Sequence, residues 1–155
     1  MILVGTNTDS SKLTKMGFSI WHPFEKQTLE KVPQEIGVYV FRKAGAQFFG
    51  RLNGNSDILY IGSTEKDLRH RLQQYLSPGP SQWTNKRIHE YAKKNSIEVA
   101  WLLCDEPKNF EHDLLKQYLL EHSELPPLNA SDIRQLLKPV KDEVHLTDKA
   151  SVIKK

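Results

Sequence analysis

Ile36-Gly37-Val38-Tyr39-Val40-Phe41 and, after a polar interval, Ile58-Leu59-Tyr60-Ile61-Gly62 are the stretches on which the fold turns. Both are dense in β-branched and aromatic residues, the composition of strands on a half-buried sheet. Between them Gly50, Asn53, Gly54, Asn55 and Ser56 supply turn chemistry, so the two runs read as an antiparallel hairpin. Past Gly62 the period changes. Thr64, with Asp67 three residues on, has the pattern of a helix N-cap followed by an acid in the first turn. Leu68, Leu72, Tyr75 and Leu76 then recur at helical spacing until Pro78-Gly79-Pro80 interrupts them.

Working outward, a second helix is expected from about Trp83 to Lys94, with Ile88 and Tyr91 turned inward. Ile97 to Cys104 is a third strand, stopped by Asp105-Glu106-Pro107. Phe110, Leu114, Leu115, Tyr118 and Leu119 share one face of a third helix that ends before Pro126-Pro127. Ser131 is placed to cap a short helix through Leu137, stopped by Pro139. The order β-β-α-α-β-α-α predicts an α/β fold, a small three-stranded mixed or antiparallel sheet flanked by helices. Residues 1–31 form an N-terminal extension. Phe18, Ile20, Trp21 and Phe24 crowd around Pro23 without a clean period, which predicts an extended segment packed on the domain. Residues 32–130 are the domain itself, and 131–155 a short helix and a charged tail.

A chain of 155 residues, 38% hydrophobic and 26% charged, suffices for one domain with its own core. No apolar run approaches the roughly 18 residues that a membrane span requires. Met1-Ile2-Leu3-Val4 is followed by Asp9 and a Ser/Thr/Lys-rich run rather than by a secretory core, so no membrane association and a cytoplasmic location are expected. The single cysteine, Cys104, sits in an apolar run and reads as a small core residue. None of the six histidines forms an H-x-x-x-H pair, which argues against zinc.

The net charge of +3 says little; its distribution says more. Ile36 to Ser96 carries ten basic residues against four acids, net +6, whereas Ile97 to Ala150 carries six against eleven, net −5. Such asymmetry suits one face prepared for phosphates, although solvated helix faces also produce it. Trp83, beside Lys86 and Arg87, has two readings. It offers an aromatic face to a base or ribose, or it fills the commoner role of a core anchor, which is the expectation here.

These landmarks together resemble the GIY-YIG nucleases. Gly37-Val38-Tyr39 and Tyr60-Ile61-Gly62 are similar to the paired strands that name the family. Leu68-Arg69-His70-Arg71-Leu72 resembles its first helix, whose active-site arginine lies three residues after the leucine, which selects Arg71 over Arg69. Phe110-Glu111-His112-Asp113 resembles the helix bearing the family's single metal-binding glutamate, and Pro126-Pro127-Leu128-Asn129 its closing proline-x-x-asparagine. The resemblance spans about Val32 to Ala130. The chain departs from the family in a longer interval between the tyrosines and between Glu111 and Asn129. Ser63 stands where some members have lysine, and Tyr75 where some have histidine.

The resemblance implies a metal-dependent endonuclease acting on DNA, with Tyr39, Tyr60, Arg71 and Asn129 catalytic and Glu111 holding Mg²⁺ or Mn²⁺. Arg69, Lys86 and Arg87 are the expected DNA contacts. One carboxylate is enough for Mg²⁺, which keeps waters and takes other ligands from substrate phosphate. Arg71 offers a fixed fork of donors to a phosphate. Tyr39 is the expected general base, although a free phenol titrates near 10 and would need help from the metal, Arg71 or the neighbouring Tyr60, and how the two phenols share the task is open. Asp113 is the weaker metal candidate. The alternative is a non-catalytic nucleic-acid-binding module with the same fold; a protein partner or oligomer for targeting is also open.

Overall fold

Residues 9–129 are described by the computed structural model, and the helix expected after Ser131 lies outside them. The element order is α1 (Ser10–Lys15), β1 (His22–Pro23), β2 (Gly37–Lys43), β3 (Phe49–Gly50), β4 (Asn55–Ser56), β5 (Ile58–Thr64), α2 (Leu68–Leu76), α3 (Trp83–Lys94), β6 (Ile97–Leu103) and α4 (Pro107–His122). The main sheet runs β1-β6-β2-β5 and every pairing in it is antiparallel. Four strands therefore replace the three expected, and β3 with β4 forms a separate two-stranded ribbon inside the hairpin loop. The added sheet strand is short: His22 and Pro23 pair with Val99 and Glu98.

β2 lies in the middle, so its side chains are buried on both faces. Val38 and Val40 join Ile58, Ile61 and Ala100 on one face, covered by Leu13 of α1 and by Leu114, Leu115, Tyr118 and Leu119 of α4. Tyr39 and Phe41 join Tyr60, Val99 and Trp101 on the other, covered by Leu68, Leu72 and Tyr75 of α2 and Ile88 of α3. Each fully buried large side chain contributes about 1.5–3 kcal/mol over its exposed state, so both layers are held chiefly by these apolar contacts. β5 is an edge strand, and the segment after α4 covers it. Leu128 N–H donates to Leu59 O at 3.0 Å, and Asn129 pairs with Ile61. Covering an exposed edge in this way removes a template for association with other chains.

Local detail both meets and departs from expectation. The segment around Pro23 is extended and packs on β6, and helices flank it: Asp9 caps α1 by accepting from Ser11 N and Lys12 N, and Lys26–Lys31 forms a 3-10 helix. Ser10 then bonds the buried Asp57 carboxylate through both its backbone N (3.0 Å) and its hydroxyl (2.5 Å), which ties α1 to the hairpin. The cap of α2 is Asp67 rather than Thr64, because its carboxylate accepts from His70 N at 3.0 Å and the helix begins one residue later. Trp83 is not a core anchor; it is 73% exposed at the first position of α3. Cys104 is a free, partly buried thiol packed against the core. No helix among the described residues is long and apolar enough to cross a membrane.

Candidate active site

Antiparallel register brings the two tyrosine motifs together. Tyr39 lies opposite Gly62 and Phe41 opposite Tyr60, so both phenol rings project from the same face of the sheet. Their centroids are 6.2 Å apart and nearly parallel. Gly62 makes room for this arrangement. A Cβ there would fall 2.6 Å from both Cζ and Oη of Tyr39 and 2.7 Å from Cε2 of Tyr60. Gly37 has a different duty: a Cβ on it would run into the backbone carbonyl of Leu102 on β6. One glycine permits strand approach, and the other seats the phenols.

α2 carries Arg71 over this pair. Its Nε donates to the Tyr39 hydroxyl at 3.1 Å, its Nη1 donates to Gln74 Oε1 at 2.8 Å, and its Cζ lies 4.7 Å from the centre of the Tyr75 ring. The two hydrogen bonds and the Tyr75 ring orient the fork, and among the described residues Nη2 has no hydrogen-bond or ion-pair partner. A cleft of about 350 Å³ opens beside it, bounded by Thr64, Lys66, Asp67, His70, Arg71 and Gln74. The hydroxyls of Tyr39 and Tyr75 are 2.5 Å apart, a hydrogen bond within a fully buried cluster. Burial pushes the Tyr39 phenol well above its ordinary range and the Tyr60 ring adds to this, while Arg71 and Tyr75 oppose it. Tyr39 is accordingly a neutral phenol at working pH. It has no exposed surface, whereas Tyr60 retains 9%.

Glu111, in the second turn of α4, reaches the end of β5, where the Ser63 hydroxyl donates to its Oε1. Burial raises its carboxyl above the usual range, against the Ser63 hydrogen bond and the charges of Lys108, Arg71 and His112. The donor set fits a hard divalent cation. It is an oxygen ligand, partly buried, that makes no ion pair among the described residues. No group of three or more His, Cys, Asp or Glu side chains gathers anywhere among those residues, so any bound ion would draw its other ligands from water or substrate. Asp113 is exposed.

Asn129 and Arg69 have other partners. Both polar ends of the Asn129 amide go to Ile61: Oδ1 accepts from its N at 3.0 Å and Nδ2 donates to its O at 2.9 Å. Asn129 therefore clamps the strand that holds Tyr60. Arg69 spends Nε on Val32 O (2.9 Å) and Nη2 on Glu30 O (3.3 Å), bracing the segment ahead of β2. Lys86 and Arg87 stand on α3 and donate only to the neutral carbonyls of Pro80 and Pro127. Sequence reading missed the direct contacts of Tyr75 and Ser63 with the site. Ser63 appeared as a departure from the family, and Tyr75 as that and as a position in the helical apolar pattern, although Tyr75 lies one helical turn after Arg71, where side chains share a face.

No family model matches the chain, and no curated protein is significantly similar to it in sequence. Among solved structures it is similar to the GIY-YIG N-terminal endonuclease domain of UvrC from Thermotoga maritima bound to its catalytic divalent cation, magnesium. The identity is 27% over 68% of this chain and 100% of that one, with a TM-score of 0.44. A point variant of the same domain, tyrosine to phenylalanine and also bound to its catalytic divalent cation, is 26% identical over 69% of this chain and 100% of that one, again at 0.44. Superposition of this extent is partial, and the weight rests on the residues themselves. The paired Gly37-Val38-Tyr39 and Tyr60-Ile61-Gly62 strands, with Arg71 on the following helix and Glu111 on a later one, are the arrangement that the resemblance to the GIY-YIG nucleases implies.

Proposed function

We propose that this protein is an endonuclease that hydrolyses phosphodiester bonds in DNA, with one Mg²⁺ or Mn²⁺ held at Glu111. The observation that carries the reading is the Arg71 guanidinium, hydrogen-bonded to Tyr39 and lining a cleft at the end of β5, the strand end where Ser63 holds Glu111. A phosphate ester needs charge neutralised on its oxygens, a proton removed from the attacking water and the nucleophile held in line. Arg71 meets the first need, with Nη2 available to a non-bridging oxygen. Tyr60 meets the second, because the Tyr39 hydroxyl is fully buried and already engaged by Arg71 and Tyr75. Tyr39 and Gln74 are positioning residues for Arg71, and Asn129 is one for the Tyr60 strand. A cation bound at Glu111 supplies Lewis-acid polarisation of the phosphoryl group.

Nicking of supercoiled plasmid tests the proposal. Cutting is expected with Mg²⁺ or Mn²⁺, with none in chelator and none by Glu111→Gln. DNA binding without any nicking would refute it in favour of a non-catalytic binding module.

A further inference from the structure

A second cavity, about 780 Å³ in volume, lies on α3 and is not used by the chemistry above. Its walls include Trp83, Lys86, Arg87, Tyr91, Lys94 and Leu128. Four of these, Trp83, Arg87, Tyr91 and Lys94, recur three or four residues apart, so they form one stripe along the helix. Ile88, which faces the core, lies off that stripe. Trp83 exposes 73% of its surface, and a large aromatic left in solvent beside a concave apolar floor calls for a partner.

The charges around the cavity point to an anion. Lys86 donates to Pro80 O at 2.7 Å and Arg87 to Pro127 O at 3.4 Å, and neither is ion-paired among the described residues. Lys94 is also without an acid there. The one acidic lining residue, Glu90, is already engaged by Lys93 at 3.3 Å. An aromatic face with uncompensated cations beside it is how proteins take up unpaired nucleotides, whose bases stack while the backbone follows the charge.

The cavity also adjoins the site through covalent and hydrogen-bonded links. Leu128 is the neighbour of Asn129, which clamps Ile61 next to Tyr60. His89, on the same helix, bonds Tyr75 O through Nδ1 at 3.0 Å. We propose that this cavity binds an unpaired nucleotide of the DNA strand, its base stacked on Trp83 and its phosphates on Lys86 and Arg87. The inference rests on the nuclease reading and deepens it: the substrate carries single-stranded DNA at the place where it crosses α3.

The test uses full-length Glu111→Gln without divalent cation, so that no cutting intervenes. Binding of a labelled single-stranded oligonucleotide is compared with that of a duplex of the same sequence. Trp83→Ala should weaken single-strand binding by about 5- to 150-fold, the usual worth of one stacked base, and change duplex binding much less. Trp83→Phe, which keeps an aromatic face, should retain most of the affinity. Replacing both Lys86 and Arg87 by Ala should flatten the salt dependence of single-strand binding, by about 0.7 in log–log slope per lost contact. Trp83→Ala with unchanged single-strand affinity would overturn the inference and leave the groove to another occupant, such as a protein segment. Plasmid nicking with the otherwise wild-type chain is scored separately. Nicking without Trp83 dependence removes only this inference; Trp83-dependent binding without nicking removes only the nuclease reading.

Discussion

Gly62→Ala adds one methyl group at the point where both tyrosine rings converge. The new carbon would sit 2.6 Å from Cζ and Oη of Tyr39 and 2.7 Å from Cε2 of Tyr60, against an ordinary carbon contact of about 3.5–4.0 Å. A ring or the strand must therefore move by about 1 Å. Tyr39 has little freedom to yield, because it is fully buried, packed edge-on to Phe41 and Tyr75, and bonded to Arg71. Overpacking of this kind costs about 1–3 kcal/mol. For a chain of this size that is a fall in Tm of about 2–12 °C. Displacement of a reacting group by about 1 Å is worth roughly 10²-fold in rate. Melting followed by circular dichroism, and plasmid nicking well below the Tm, read the two effects separately. Gly37→Ala is the control, since its methyl meets Leu102 O and Leu68 Cδ1 rather than the phenols. It should lose comparable stability and much less rate. Gly50→Ala, with nothing near its added Cβ, should change neither. A Gly62→Ala protein with wild-type Tm and rate would refute the account of how the rings are seated.

Tyr60→Phe should lower the nicking rate by about 10²–10⁴-fold at unchanged DNA affinity. Tyr39→Phe removes a hydroxyl that serves Arg71 and Tyr75 and should lower the Tm by several degrees, since a buried group left without its partner costs about 1–3 kcal/mol. Full activity in Tyr60→Phe with none in a folded Tyr39→Phe would reverse these roles. For Glu111, burial raises the carboxyl, so the folded chain holds that proton more tightly than the unfolded one. Its contribution is present below the ordinary carboxylate range and is lost as pH rises through the folded value. Glu111→Gln should then gain Tm relative to wild type between acid and neutral pH, and Mg²⁺ should raise the Tm of wild type only. A Tm difference that is flat with pH would contradict this. Arg69→Ala should destabilise the fold without changing the salt slope of DNA binding, because its donors hold Val32 O and Glu30 O; a changed slope would make it a phosphate contact.

The features legible in the sequence are those governed by local periodicity. The two strand runs, the span of α3 and the apolar face of α4 follow from spacing alone, because a strand or helix repeats over a few residues. The resemblance marked Arg71 and Glu111, whereas the register that sets Tyr39 opposite Gly62 and Phe41 opposite Tyr60, and so puts both phenols on one face, is a property of the paired strands. The exposed stripe containing Trp83, Arg87 and Lys94 was not read, since Trp83 was expected in the core and Tyr91 was grouped with Ile88. Tertiary structure alone decided the rest. β2 became central because β6 returns along its free side and His22–Pro23 extends the sheet, pairings between distant segments with weak local signals. Which donors remain free is likewise a property of the assembled chain. Arg69 and Asn129 met backbone carbonyls and amides that folding brought to them, while Lys86 and Arg87 met only neutral ones. The division between Tyr39 and Tyr60 arose in the same way. Their sequence contexts are alike, and only the packing of α2, which brings Arg71 and Tyr75 onto the Tyr39 hydroxyl, tells them apart.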